Sequence, residues 1–241
     1  MNRNERHHLK ENELTVLARQ AREVVDARKR GMTTAIALVV IVGAGVLGWV
    51  AWRDHTQSLA HGLLAEALTV AETRVGAPIA PGTPGAGPSF PTQTERAKAA
   101  LVKFKAAADA YPTTDAGLFA RYQEAATTMT LGNAAEATRL YQAVIDNAGN
   151  GIYGQMARLG LADAQARGGQ YEQAINAYKE LAQRKDGPLP IDAILLQLGR
   201  VYRDAGKRDD AQQTFTRIIH EYPDSAFAAD ANRELNSLGK S

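Results

Sequence analysis

Displaced by 37 residues, this sequence superimposes on itself. Gly132, Gly169 and Gly206 come into register, as do Ala137, Ala174 and Ala211. So do Tyr141, Tyr178 and Phe215, followed by Val144, Leu181 and Ile218. Upstream, Ala125, Ala162 and Gly199 form a column that holds only small side chains. A fixed period of this length belongs to stacked helical pairs, each too small to bury its apolar face alone. The alanine and the aromatic residue four positions on share one helical face, where the small side chain admits a neighbouring helix. The glycine five residues before that alanine falls where one helix stops and the next begins. Such a stack offers surfaces for binding and no single buried reaction centre.

The third unit carries the most complete pattern. Leu195, Leu198, Gly199 and Tyr202 follow the W-x2-L-G-x2-Y line of the tetratricopeptide repeat with leucine in place of tryptophan, and Ala211, Phe215 and Pro223 supply its A-x3-F and closing proline. The chain thus resembles tetratricopeptide repeat proteins, with three extra residues per period expected in loops 147–151 and 186–190. Leu161, Ala162, Ala174 and Tyr178 keep the pattern in unit two, where Gln165 replaces the tyrosine. Unit one keeps Ala125, Ala137 and Tyr141, and Thr128 stands in the tyrosine column. Periodicity predicts helices over 118–131 and 134–147, 152–167 and 171–184, and 191–205 and 208–221. A capping helix is expected over 225–238, opened by Asp224 as N-cap, with Phe227, Ala231 and Leu235 on one stripe. One unit back, Ala100, Phe104, Ala107 and Pro112 match a second helix whose first helix is out of register.

Residues 32–52 contain no charged side chain, and 21 residues of helix cross a hydrocarbon core of ~30 Å. Before them lie Arg3, Arg6, Lys10, Arg19, Arg22, Arg28, Lys29 and Arg30 against five acidic residues; directly after come only Arg53 and Asp54. The positive-inside bias places the N-terminus in the cytoplasm and the repeats across the membrane, with Trp49 and Trp52 at the far interface. No A-x-A site follows the apolar run, so a retained signal anchor is expected. The fold class is therefore all-α: an N-terminal transmembrane helix followed by a tetratricopeptide-like αα-solenoid. Its expected organisation is a basic tail at 1–31, the anchor at 32–52, a divergent first helix pair at 53–112, three repeats of period 37 at 113–223 and a cap at 224–241.

Gly43, Gly45 and Gly48 spell G-x-G-x-x-G inside the apolar run, with Glu66 or Glu72 downstream. That fingerprint requires a strand–turn–helix unit, and an uncharged stretch of this length reads instead as a membrane helix. Ala44 and Gly48 offer a small-residue contact between two such helices. Residues 53–73 continue as a helix with Leu59, Leu63, Ala67 and Val70 on one side, the missing first helix of the initial pair. At 76–91, nine of 16 residues are Gly or Pro, so neither helix nor strand is expected there. Leu14, Leu17, Ala21 and Val24 fall at heptad spacing in the tail, either a short self-associating coil or a spacer.

With no cysteine in the chain, disulfides, thiolate metal sites, cysteine catalysis and a lipoprotein anchor are excluded. From position 32 onward twenty Lys/Arg are interleaved with twenty-one Asp/Glu, which argues against a nucleic-acid surface. His7 and His8 lie near the terminus, His55 and His61 are six apart on different helical faces, and His220 ends a helix, so no metal site is read from them. No catalytic constellation emerges; no enzyme, metal or cofactor is expected.

The layout of charged tail, single span, extended first helix and divergent repeats resembles the ancillary SecYEG translocon subunit family (YfgM-like), single-pass inner-membrane proteins with a periplasmic tetratricopeptide-like domain. The run from His220 to Ser225 is also similar to periplasmic repeat proteins of the cell-division coordinator and outer-membrane assembly kinds. The first resemblance implies a scaffold beside the secretory channel that hands exported chains to periplasmic chaperones. In tetratricopeptide stacks the first helix of each pair lines the concave side. The register would turn Phe119, Tyr122, Gln123 and Met129 inward from unit one, Met156, Leu159, Asp163 and Arg167 from unit two, and Leu196, Gln197, Arg200 and Arg203 from unit three. This set grades from aromatic and methionine to arginine and suits a peptide groove in which the two last arginines meet an acidic group. The competing expectation packs Phe119, Tyr122 and Leu159 against the first helix pair. A second functional reading is an envelope or division scaffold that acts by self-association, as a homodimer.

Overall fold

The computed structural model describes residues 3–77, 87–184 and 190–239, with side chains from Thr34 onward. Helix α1 (Arg3–Glu72) is followed by two short strands, β1 (Arg74–Val75) and β2 (Ser89–Phe90), and then by helices alone. These are α2 (Gln93–Ala110), α3 (Asp115–Thr130), α4 (Ala134–Ala148), α5 (Ile152–Arg167), α6 (Tyr171–Gln183), α7 (Ile191–Asp204), α8 (Arg208–Glu221) and α9 (Ala228–Leu238). Two compact units divide at His55 and Thr56.

The first unit is helical and carries the apolar run. Every residue from Thr34 to Trp52 is exposed, Val39 and Leu47 at 72%. A water-soluble helix would hide such a face; here the stretch is long and apolar enough to span a membrane and no described residue of its own unit covers it. The Arg53 guanidinium lies 5.5 Å above the Trp49 ring, one helical turn away. Gly43, Gly45 and Gly48 sit inside α1, so no strand precedes them and the nucleotide fingerprint has no fold to act in. The side chains of the Leu14–Val24 heptads lie outside the described residues.

In the second unit the helices pair in sequence as α3–α4, α5–α6 and α7–α8, each packed on the next. The glycine column explains the turns. Gly132, Gly169 and Gly206 take φ of +88°, +77° and +75°, a region that side-chain-bearing residues avoid. Each glycine N–H bonds the carbonyl three residues back (Met129, Ala166, Arg203), and the next N–H reaches five back (Thr128, Gln165, Tyr202) at 2.8–3.1 Å. That is the Schellman closure, repeated at 37-residue intervals. Helix starts are capped by side chains where the sequence supplies them: Thr92, Thr114 and Asn133 accept from the N–H groups of Glu95, Gly117 and Glu136.

Buried side chains form three clusters along the stack. Ala60, Leu64 and Ala67 of α1 pack with Phe104, Ala107 and Ala108 of α2; Tyr141 and Val144 join Ala125, Ala157 and Ala164; Tyr178, Phe215, Leu195 and Ile218 anchor the last. The small-residue columns let aromatic rings approach backbone. A Cβ placed on Gly199 would stand 2.4 Å from the Phe215 ring, and one on Gly160 2.4 Å from Tyr141.

Four expectations need correction. Leu59 is 47% exposed and drops out of the expected stripe; Ala67 is buried, Leu63 and Val70 pack against it, and Ala60 and Leu64 join them. Helix α3 begins at Asp115, three residues earlier than periodicity suggested, because Thr114 caps it. Helix α9 begins at Ala228, so Asp224 caps nothing; Ser225 shapes the turn, accepting from the Phe227 N–H (2.9 Å) and donating to Asp192 (2.5 Å). The Gly/Pro segment does contribute a strand: Arg74 and Val75 pair in parallel with Ser89 and Phe90, and the Gly76 N–H donates to the Phe90 carbonyl (2.9 Å). Ser89 and Phe90 lie between Pro88 and Pro91 and keep their N–H groups, so the two ends of the insertion close on each other. Residues 78–86 of that insertion lie outside the described residues.

Candidate protein-binding surfaces

The first helices of the pairs are α3, α5 and α7, and the side chains expected to form one groove divide among three environments. Phe119 stacks on Tyr122 (centroids 6.3 Å, 15° between planes) and meets Tyr153 of α5 at 5.8 Å. Tyr122 in turn contacts the buried Tyr141 ring at 5.6 Å. Phe119 also packs against the α1–α2 cluster, Tyr122 and Met129 against the Tyr141 cluster, and Leu159 against the Tyr178 cluster. These rings are half-buried: part of each face secures the stack and part remains available. Tyr153 at the start of α5 belongs to this set and was missed, because it precedes the repeat columns.

Met156, Asp163 and Gln197 are half-buried and Arg167 exposed. Asp163 accepts a hydrogen bond from the Tyr178 hydroxyl at 2.5 Å. Burial first, then the Asp163 carboxylate, holds the Tyr178 phenol well above the ordinary tyrosine range. Tyr141 is raised for the same leading reason, with Tyr122 and Asp163 adding to it. Gln123 lies apart, in a 270 Å³ hollow with Ala71 of α1 and Arg96 of α2; neither Phe119 nor Tyr122 lines it.

Unit three departs most from expectation. Leu196 is 2% exposed and belongs to the core, so it is no part of an accessible wall. Arg200 and Arg203 do hold an acidic group, but it is the chain's own. Glu234 of α9 accepts from Arg200 Nε at 2.8 Å and from Arg203 Nη1, with Arg203 also on Asp204 at 2.9 Å. The capping helix therefore occupies this end of the first-helix face. Asp230 and Glu234, one turn apart on α9, were the sequence signal that could have located the pair.

Another hollow lies elsewhere. A trough of about 660 Å³ runs between α6 and α8, the second helices of two successive units, over Leu195, Leu198 and Tyr202 of α7. Lys179 stands on its α6 side with the ammonium 5.7 Å above the Tyr202 ring, and Arg217 on its α8 side. Among the described residues no group of His, Cys, Asp and Glu is arranged to hold a metal ion.

Paired antiparallel helices, glycine-closed turns and aromatic-on-small packing define an αα-solenoid of the tetratricopeptide class. The family model of the tetratricopeptide repeat-like domain matches residues 29–224, and the chain belongs to that family. Among solved structures, the kinesin light chain nearly identical TPR-like repeats of Podosopora anserina share the fold at TM-score 0.59, with 14% identity over 77% of this chain and 87% of that one. BtubC (BKLC) from P. vanneervenii is similar at TM-score 0.53, again with 14% identity, over 78% of this chain and 83% of its own. No curated protein matches the sequence significantly.

Proposed function

We propose that this chain is a membrane-tethered interaction scaffold, with its N-terminus in the cytoplasm of a bacterial cell and its repeats on the periplasmic side of the inner membrane. There it works as an ancillary factor of the Sec translocon that passes exported chains to chaperones. The observation that carries the tethering is the uncovered apolar helix from Thr34 to Trp52, with eight basic residues before it and a nearly neutral repeat domain after it. Membership of a repeat family that acts through protein contacts supports a scaffold. The layout shared with the translocon subunit family supports the particular partner. The contacting face in this reading is the half-buried Phe119–Tyr122–Tyr153 cluster, with the Asp163 carboxylate acting on Tyr122.

Protease added to intact spheroplasts should remove the C-terminal domain and spare the tail. Full-length protein purified from native membranes should carry translocon subunits, and Phe119→Ala with Tyr153→Ala should reduce their recovery. A protected C-terminal domain would place the repeats on the cytosolic side and end the periplasmic assignment. Recovery of a second copy of this chain alone, with no translocon subunit, would favour the self-associating scaffold.

A further inference from the structure

The trough between α6 and α8 lies on second helices, away from the first-helix face, and its walls are unlike the rest of the domain. From position 32 onward basic and acidic residues nearly balance. The trough nevertheless gathers Lys179 and Arg217 on opposite sides, and no carboxylate is among its described lining residues. No carboxylate lies within ion-pairing distance of Lys179 among the described residues; its ammonium rests on the Tyr202 ring. Among the described residues Arg217 pairs with Glu221, one turn along its own helix, 2.9 Å away and half-exposed, a pair that exchanges readily with an incoming anion. Gln183 and Gln213 are exposed on the two walls, where their amides can donate to and accept from a peptide backbone. Between them Ala182 and Leu198 supply an apolar floor. The volume, 660 Å³, is that of an ordinary ligand cleft.

We propose that this trough is a second docking site, independent of the first-helix face, and that its occupant is a short acidic segment of a partner protein bearing an apolar side chain next to its carboxylate. Charge complementarity carries the assignment: two cations flank an apolar floor in a domain that elsewhere mixes signs. Lys179 and Arg217 receive the carboxylates, Gln183 and Gln213 the backbone, and the floor the apolar side chain. With two such surfaces one repeat domain holds two chains at once, as a scaffold that transfers clients requires.

The test uses the full-length chain in detergent micelles and three fluorescent dodecapeptides: alternating Asp and Leu, the same with Lys for Asp, and the same with Ser for Leu. The Asp/Leu peptide should bind in fluorescence anisotropy, more weakly as salt rises, and both other peptides about tenfold more weakly. Lys179→Glu with Arg217→Glu should reverse the preference between Asp/Leu and Lys/Leu. Gln183→Trp, which fills the trough without changing charge, should block the Asp/Leu peptide. Arg139→Glu, an exposed charge reversal on α4, should leave it bound. Equal binding of acidic and basic peptides, or undiminished Asp/Leu binding to both trough variants, would overturn the proposal. So would a photo-crosslinker at Gln183 that captures a second copy of this chain in membranes. None of these outcomes bears on translocon co-purification through Phe119 and Tyr153, so the two readings fail separately.

Discussion

Alanine at Gly199 and alanine at Gly62 should move stability in opposite directions, although both are glycines inside helices. On intrinsic propensity alone each substitution stabilises by up to ~1 kcal/mol. Gly62 is exposed on α1 and a Cβ there meets no heavy atom within 4 Å, so the gain should be realised. At Gly199 the added Cβ lands 2.4, 2.8 and 2.9 Å from three carbons of Phe215. Ordinary contact begins about 1 Å further out, and the ring is fully buried at 0% exposure, so it must push into its neighbours. Overpacking of this kind costs ~1–3 kcal/mol, leaving a net loss of ~1 kcal/mol once propensity is credited. For a domain of this size that is a fall of ~2–4 °C in Tm, against a similar rise for Gly62→Ala. Thermal unfolding of the full-length protein in micelles, followed by circular dichroism, measures both. Phe215→Leu removes ring atoms, so Gly199→Ala should cost less in that background, by ~1 kcal/mol of coupling. Equal upward shifts for both alanine variants would refute the idea that the small-residue column exists to admit the ring.

Three further outcomes follow from particular contacts. Glu234→Ala removes the acceptor shared by Arg200 and Arg203; screening at these partly exposed arginines limits the loss to ~1 kcal/mol. It should appear as faster amide exchange confined to 228–238, and unchanged exchange there would refute the clamp. Tyr178→Phe deletes the donor to Asp163 and should cost ~1 kcal/mol by urea unfolding, with Tyr178→Leu costing more through lost packing. Burial outweighs Arg121 at Glu124 and raises that carboxyl above its usual 4.5, so the folded state holds the proton more tightly. Its stabilising contribution is present below the unfolded value and lost as pH rises through the folded one. Glu124→Gln should therefore gain stability relative to the wild type as pH rises from the carboxyl's usual 4.5 through its raised folded value, and a flat difference would contradict the sign.

What could be read in the sequence was the part built from short-range geometry. Ala125 with Tyr141, Ala162 with Tyr178 and Gly199 with Phe215 are each sixteen residues apart, the span of one helix–turn–helix, so their spacing encodes the contact directly. The glycines follow from φ, and the apolar segment from the absence of charge. Side-chain-to-backbone contacts were harder to foresee. Thr114 lengthens α3 and Ser225 reshapes the entry to α9, and in both cases a single hydroxyl decides which residue the helix begins on. Beside the two-residue strands Arg96 donates to the Thr73 carbonyl across 23 positions, a pairing with no periodic trace.

The binding surfaces were less legible because a period describes which residues share a face and says nothing of what comes to lie on that face. Arg200 and Arg203 do lie together on α7, yet α9 arrives with Glu234 and neutralises both. Lys179 and Tyr202, by contrast, occupy unremarkable positions in their own helices. They matter only because α6 and α8 stand far enough apart to leave the floor of α7 reachable between them. A cation opposed within the stack is spent on holding helices together, as Arg121 of α3 is on Asp109 of α2, with Glu124 of its own helix beside it. Lys179, beside a trough with no carboxylate among its described lining residues, is placed to act on something outside the chain. By that criterion the acidic-peptide site belongs on the second helices, and the first-helix face is left to its aromatic rings.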